Sequence, residues 1–283
     1  MKIGAVFLAT VLFIAPVRAQ QQPPPGGVVS PQPPGAAPAA PAPAKKTPFH
    51  LELGKFYYSF SRGSGHSQGE SMRLFYTTPR ATPILSISRQ TNGSGSQFDF
   101  GLASYITLSD RYYAIVGVSH APDRGTVLFP KTRLDASLLG NVPSVRGLVL
   151  SAGVTSIYGS TPNSGGTIFS AGSLYYRGRA ISSAVLRLNR DRQGGAISRS
   201  EQIGTQYGEQ GRYWIGASFT HGTEAYQLGG AVPFDVRFEG IGASAFAQLW
   251  ISRKQGLAIR YDYEHKYTAF VRAGGAITYF VDF

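Results

Sequence analysis

Two histidines stand beside groups that could support nucleophilic catalysis. His120 follows Ser119 directly, and His221 is followed closely by Thr223 and Glu224. A hydroxyl nucleophile, an imidazole base and a polar or acidic orienter are the parts of an acyl-transfer site, such as that of a lipid hydrolase. Spacing alone does not assemble them, because loops of this composition are full of Ser, Thr and Glu. His50, His66 and His265 are scattered singly, where solvated or interfacial positions are the ordinary expectation, and no His/Asp/Glu group has metal-ligand spacing. The chain has no cysteine, which excludes thiolate metal sites, disulfides and a cysteine-linked lipid anchor. No cofactor is implied, and the residues favour a non-enzymatic protein.

A second set of residues suits a different chemistry. Arg73, Arg133, Arg187, Arg260 and Arg272 each occupy one phase of an alternating stretch, with Asp135, Asp262 and Glu264 close by in the same phase as their arginines. Such a set reads in two ways. It could line an anion- or sugar-tolerant pore, as rings of charge tune selectivity. It could equally pair into a ladder that braces a narrow, plugged interior. Phe56, Tyr175, Trp214, Phe246 and Trp250 are candidates for inward aromatics on the same wall, whereas Tyr112, Tyr261 and Tyr263 suit interfacial girdles.

The elements that would position these side chains are strands. Leu257, Ile259, Tyr261 and Tyr263 alternate with Arg260, Asp262 and Glu264; Leu134, Ala136 and Leu138 alternate with Arg133, Asp135 and Ser137. A charge on a lipid-facing position costs about 2–4 kcal/mol at the bilayer midplane, so the apolar phase must face outward. A slip of one residue would put several arginines into hydrocarbon together. Fourteen such strands are predicted between 50 and 283, with twelve or sixteen also allowed by the uncertainty of strand ends. Short links, such as 178–179 and 108–110, alternate with longer ones rich in Gly, Ser and Asn, such as 62–69, 122–130, 159–165, 191–197 and 221–238. The expected fold is therefore all-β: a transmembrane antiparallel up-and-down β-barrel with both ends of the mature chain in the periplasm.

The two ends of the chain agree. Lys2, an apolar run from Ile3 to Val17 and the Val17-Arg18-Ala19 site read as a signal peptide over 1–19. Residues 20–48 are dominated by Pro, Ala, Gln and Gly, a composition that cannot bury enough apolar surface to offset chain entropy. This segment is expected to be a disordered periplasmic linker, and 49–283 the barrel. The final strand places Val271, Ala273, Gly275, Ile277, Tyr279 and Val281 on one face and ends on Phe283. The printed chain carries a net charge of +12. Export and strand pattern argue against nucleic acid as the partner of that charge; beside the luminal readings above, outer basic residues could contact the phosphates of lipopolysaccharide.

Several segments resemble the YaiO family of outer-membrane proteins. They are Phe129-Pro130-Lys131-Thr132-Arg133-Leu134, Gly153-Val154-Thr155, Ser173-Leu174-Tyr175-Tyr176-Arg177-Gly178, Tyr213-Trp214-Ile215-Gly216-Ala217-Ser218 and the Phe-ended last strand. The likeness spans most of 50–283, and the Pro-rich leader stands outside it. The resemblance implies a bacterial outer-membrane barrel, with Tyr279, Val281 and Phe283 as the signal read by the barrel-assembly machinery. It also implies an envelope or surface-polysaccharide role, while a porin-like pore and a structural barrel tethered to a periplasmic partner through the Pro-rich leader are the two activities that the strand pattern and leader leave open.

Overall fold

Period-two alternation turns every strand here into a wall with two unlike faces. In β1 (Phe49–Phe60), Leu53 and Tyr57 are exposed while Glu52, Phe56 and Tyr58 are buried. The same phase runs through β2 (His66–Tyr76), β3 (Ala81–Asn92), β4 (Gly95–Thr107), β5 (Tyr112–His120), β6 (Thr132–Asn141) and β7 (Leu148–Tyr158). It continues through β8 (Gly165–Arg177), β9 (Ala180–Asp191), β10 (Ile197–Glu209), β11 (Tyr213–Glu224), β12 (Phe238–Trp250), β13 (Gln255–Lys266) and β14 (Phe270–Asp282). These are the fourteen strands of a computed structural model that describes residues 49–283 apart from 62–64, 94, 123–129, 160–164, 193–196, 225–237 and 268–269. The signal peptide and Pro-rich linker expected over 1–48 lie outside the described residues.

Each strand pairs antiparallel with its sequence neighbours, and β1 pairs with β14, so the sheet closes on itself. The closing register runs from His50 opposite Asp282 to Phe60 opposite Arg272. Phe49 and Phe283 add a reciprocal pair of backbone bonds, 3.2 and 3.0 Å long, below it. We call the end holding Phe49 and Phe283 the near end, and the other the far end. The outer face carries exposed apolar side chains around the circumference, among them Leu102, Leu138, Leu150, Phe169, Ile215 and Ile259. Such a belt belongs in hydrocarbon, where all backbone groups must be satisfied within the sheet.

Two strands reach further than the alternation predicts. His66–Gly69 belongs to β2 and residues 221–224 to β11, where the sequence reads as loop. Above the apolar belt the outer face no longer has to be oily, so a polar stretch such as His66-Ser67-Gln68-Gly69 keeps its ladder with β1 without the alternation that marks a strand.

Inside the barrel, bulky rings lie over glycines. Phe56, Phe246, Phe280 and Tyr58 stand directly opposite Gly69, Gly216, Gly256 and Gly274 respectively. A side chain at any of the four glycines would collide with the ring facing it. This is the aromatic cover of a strand glycine, and it lays each ring along the wall. Gly178 serves another need: its φ of 61° makes the tight turn between β8 and β9.

Gly274→Val should destabilise the barrel by about 1–3 kcal/mol, since a branched side chain there overpacks against Tyr58 and the β1 backbone. Gly93→Ala, at a position with open space, should not. Urea midpoints of the refolded barrels, read from heat-modifiable migration, test this; equal midpoints would refute the packing role of Gly274.

Candidate functional site

The arginines and carboxylates singled out by their phase all sit on inward-facing positions. In β13, Arg260 Nε donates to Asp262 Oδ1 at 2.7 Å, and Asp262 Oδ2 accepts the Tyr58 hydroxyl at 2.8 Å. Tyr58 lies on β1, so this bond crosses over β14 inside the barrel, through the gap above Gly274. Glu264 accepts ion pairs from Lys266 and Arg272, each at 3.0 Å, and the Arg272 guanidinium lies 5.1 Å from the Tyr58 ring centre. Arg73 pairs with Glu52, and both are almost fully buried. Five of the eight residues, Arg73, Arg260, Asp262, Glu264 and Arg272, thus gather on the consecutive strands β13, β14, β1 and β2.

The other three stand apart. Arg133 and Asp135 form a two-bond fork on β6, both bonds 2.7 Å, and the Thr155 hydroxyl donates to Asp135 at 2.6 Å. Arg187 donates to the side-chain Oε1 of Gln202 on β10 at 3.3 Å. None of these ion pairs spans the lumen. Each joins residues two apart on one strand, or residues directly opposite on adjacent strands, as Glu52 is to Arg73 and Glu264 to Arg272.

The alternation also held residues that were not singled out. Glu52 lies between Leu51 and Leu53, and so takes the polar phase. His50, expected at an interface, instead faces inward. It contacts Asp282 at 2.8 Å and Glu52 at 3.2 Å, with its ring between Phe75 and Phe280. It therefore ties the first strand to the last. On the opposite arc of the near end, Tyr113, Leu139, Val149, Leu174 and Ile181 form an apolar cluster, with Ile115, Tyr176 and Trp214 packed against it. Its members come from β5 to β9 and β11.

Of the five aromatics expected inward, Phe56, Trp214, Phe246 and Trp250 take that phase; Trp250 packs on Phe280 with centroids 5.1 Å apart. Tyr175 does not. Leu174 occupies the inward slot opposite Val149, which turns Tyr175 to the outer face. Ser119 and His120, as neighbours in β5, point to opposite sides of the wall, and His120 contacts the Thr132 hydroxyl at 3.2 Å. His221 is on the outer face of β11, so the two histidines and Ser119 are not brought together. Among the described residues no group of His, Asp and Glu has the arrangement of a metal site. Tyr279 and Val281 share the outer face of β14, with the Tyr279 hydroxyl donating to Gln255 at 2.6 Å, and Phe283 stacks on Phe49 at 5.9 Å.

Residues 49–227 match the YaiO membrane β-barrel domain. The chain belongs to that family. It is an outer-membrane β-barrel. No curated protein matches this YaiO-family chain in sequence. Among solved structures it is similar to the CymD monoaromatic hydrocarbon channel, with TM-score 0.57 and 8% identity over 84% of this chain and 89% of that one. It is also similar to the Pseudomonas putida toluene transporter TodX, with TM-score 0.54 and 9% identity over 85% of this chain and 90% of that one. At such identities the likeness is one of fold.

Arg73→Ala takes from the buried Glu52 carboxylate its arginine partner, leaving the His50 contact, and should cost about 3–5 kcal/mol, whereas the paired change Glu52→Gln with Arg73→Gln should recover most of it. Unfolding in lipid vesicles against urea measures both. Equal losses for the single and the paired change would show that the two residues do not act as a pair.

Proposed function

We propose that this YaiO-family barrel is a non-enzymatic pore for small polar solutes or segments of surface polysaccharide, with both ends of the mature chain in the periplasm. One observation supports the reading: the ion pairs named above, all between described residues, run along the wall. These pairs draw long side chains towards their own or adjacent strands, and the rings over Gly69, Gly216, Gly256 and Gly274 are likewise laid along the wall. The described inward positions carry six Arg or Lys (Arg73, Arg133, Arg187, Arg260, Lys266 and Arg272) against seven Asp or Glu (Glu52, Asp99, Asp135, Asp191, Asp262, Glu264 and Asp282), a near balance that favours polar, hydroxyl-rich cargo over an ion of either sign. Channels of this architecture exist, which is fold-level support and no more.

The orientation rests on the connections. Near-end links, such as 77–80, 108–111, 178–179 and 210–212, are short, while far-end links include 121–131 and 225–237. Short turns belong to the periplasmic side and long loops to the outside. The barrel-assembly machinery would then read the Tyr279, Val281 and Phe283 end, and the 20–48 segment would extend into the periplasm.

A second reading, a structural envelope barrel with a closed lumen, is favoured by the near end. There Phe280, Leu139 and Val149 are 1–2% exposed, the close packing that a closed lumen needs.

Planar-bilayer recordings of the refolded barrel separate the two. Small, steady openings with little charge preference are expected, with Arg133→Ala and Arg260→Ala shifting the reversal potential towards cations. Silence at every voltage from a folded barrel would discard the pore and leave the structural role.

A further inference from the structure

The outer face carries a second concentration of arginine, away from the lumen. Arg190 on β9 and Arg199 on β10 take the outward phase, as do Leu188 and Ile197, which stand opposite them in the hairpin. Arg192 follows just beyond β9 and lies over the outward Tyr158 ring of β7, its guanidinium carbon 4.0 Å from the centroid. Arg190 and Arg199 are diagonal neighbours across the β9–β10 pair, about 7–8 Å apart at this register. Three guanidinium groups therefore share one sector of the outer wall.

Their height is what gives them meaning. Arg190 lies ten residues along β9 from Ala180 at the near end. At about 3.4 Å per residue and a tilt of about 40°, that is roughly 25 Å up the barrel axis, the height of the apolar belt in barrels of this kind. Beneath the arginines the same sector is oily: Leu188, Phe169 and Ile203 are all exposed. The arginines therefore mark the line where acyl chains end and head groups begin.

The patch has little to neutralise it. Arg199 pairs with Glu201 at 2.5 Å, both side chains largely exposed, and an exposed pair of this kind contributes little. Arg190 and Arg192 have no ion pair among the described residues. In sequence, the connections that follow β7 and β9, 159–164 and 192–196, contain no Asp or Glu. The comparable arginines at the near end are answered differently, since Arg179 and Arg212 both pair with Glu209.

We infer that Arg190, Arg192 and Arg199, with Tyr158, form a binding site on the barrel's lipid-facing wall for the phosphate groups of a lipid A head group, whose acyl chains lie on Leu188, Phe169 and Ile203. Guanidinium suits this ligand because it meets phosphate with two parallel donors, keeps its charge at all relevant pH values and sheds water readily. The cation–π contact holds Arg192 in place, which lowers the entropy lost on binding. The choice of lipid A over an inner-leaflet phospholipid rests on the orientation proposed above.

The test uses the full mature chain refolded in detergent micelles and native mass spectrometry. Bisphosphorylated lipid A is titrated against the wild type and against the triple variant Arg190→Gln, Arg192→Gln, Arg199→Gln. A saturable complex is expected with the wild type, weakened on the order of tenfold or more in the triple variant. Phosphatase-treated lipid A should bind the wild type as weakly, and Arg179→Gln with Arg212→Gln should leave binding unchanged. Wild-type binding by the triple variant, or equal binding of treated and untreated lipid, would overturn the site. Equal affinity for phosphatidylglycerol would overturn the assignment to lipid A. Orientation is read separately, by labelling Arg192→Cys in intact cells with a membrane-impermeant maleimide. Labelling is expected; a cysteine reached only after lysis would overturn the orientation, and lipid A as the source with it, whatever the binding assay gives.

Discussion

Hydrocarbon offers no partner to a free backbone N–H or C=O, and this one constraint organises the whole barrel. A sheet in a bilayer can have no edge, so β1 must find β14, more than two hundred residues away in sequence. The meeting is secured at several levels. Backbone bonds join Phe49 to Phe283, His50 links Asp282 to Glu52, and Tyr58 reaches over β14 to Asp262. The densest group of luminal charge lies on β13, β14, β1 and β2, the strands that flank the closure. Its placement follows from topology: the seam is where contacts of the longest sequence separation must be specified, and directional polar contacts specify register better than apolar ones.

Hydrocarbon also decides how much of the fold is legible in the sequence. Because a charge on the lipid face is costly, Arg260, Asp262 and Glu264 can take only one phase against Leu257, Ile259 and Tyr261. The strand count and the facing of eight charged residues follow from that local rule. Where the outer face leaves the bilayer the rule lapses, and His66–Gly69 and 221–224 look like loop although their ladders continue. Two neighbouring aromatics give no phase at all. In Tyr175-Tyr176 either ring could turn inward, and the choice falls to Leu174, whose partner Val149 lies on another strand.

Partnership is harder to read than facing. That Glu52 would be inward is visible in Leu51-Glu52-Leu53, but its match to Arg73 depends on the β1–β2 register. His50 gives no sign of its two carboxylate partners, since Asp282 lies at the other end of the chain. Ser119 and His120 show the converse: adjacency in a strand guarantees opposite faces, so two residues that look like chemistry in a string are separated by the wall itself.

The luminal ion pairs need a reason beyond stability, because buried pairs are often no better than well-packed apolar groups of similar size. Their geometry supplies one. Arg133 with Asp135, Arg260 with Asp262 and Lys266 with Glu264 are pairs two residues apart on one strand, and Glu52–Arg73 and Glu264–Arg272 are directly opposed neighbours. Each long side chain is drawn down along the wall by a partner on the same or an adjacent strand. An unpaired arginine would extend towards the axis, and apolar replacements would cluster there, as they do in the arc around Leu139 and Val149. Pairing along the wall therefore keeps charge inside the barrel while drawing these side chains back from the axis, and the rings seated over glycines apply the same solution to aromatic bulk. The contrast between this ionic strip at the seam and the apolar arc facing it gives the lumen two unlike sides, one of charge and one of apolar packing surface.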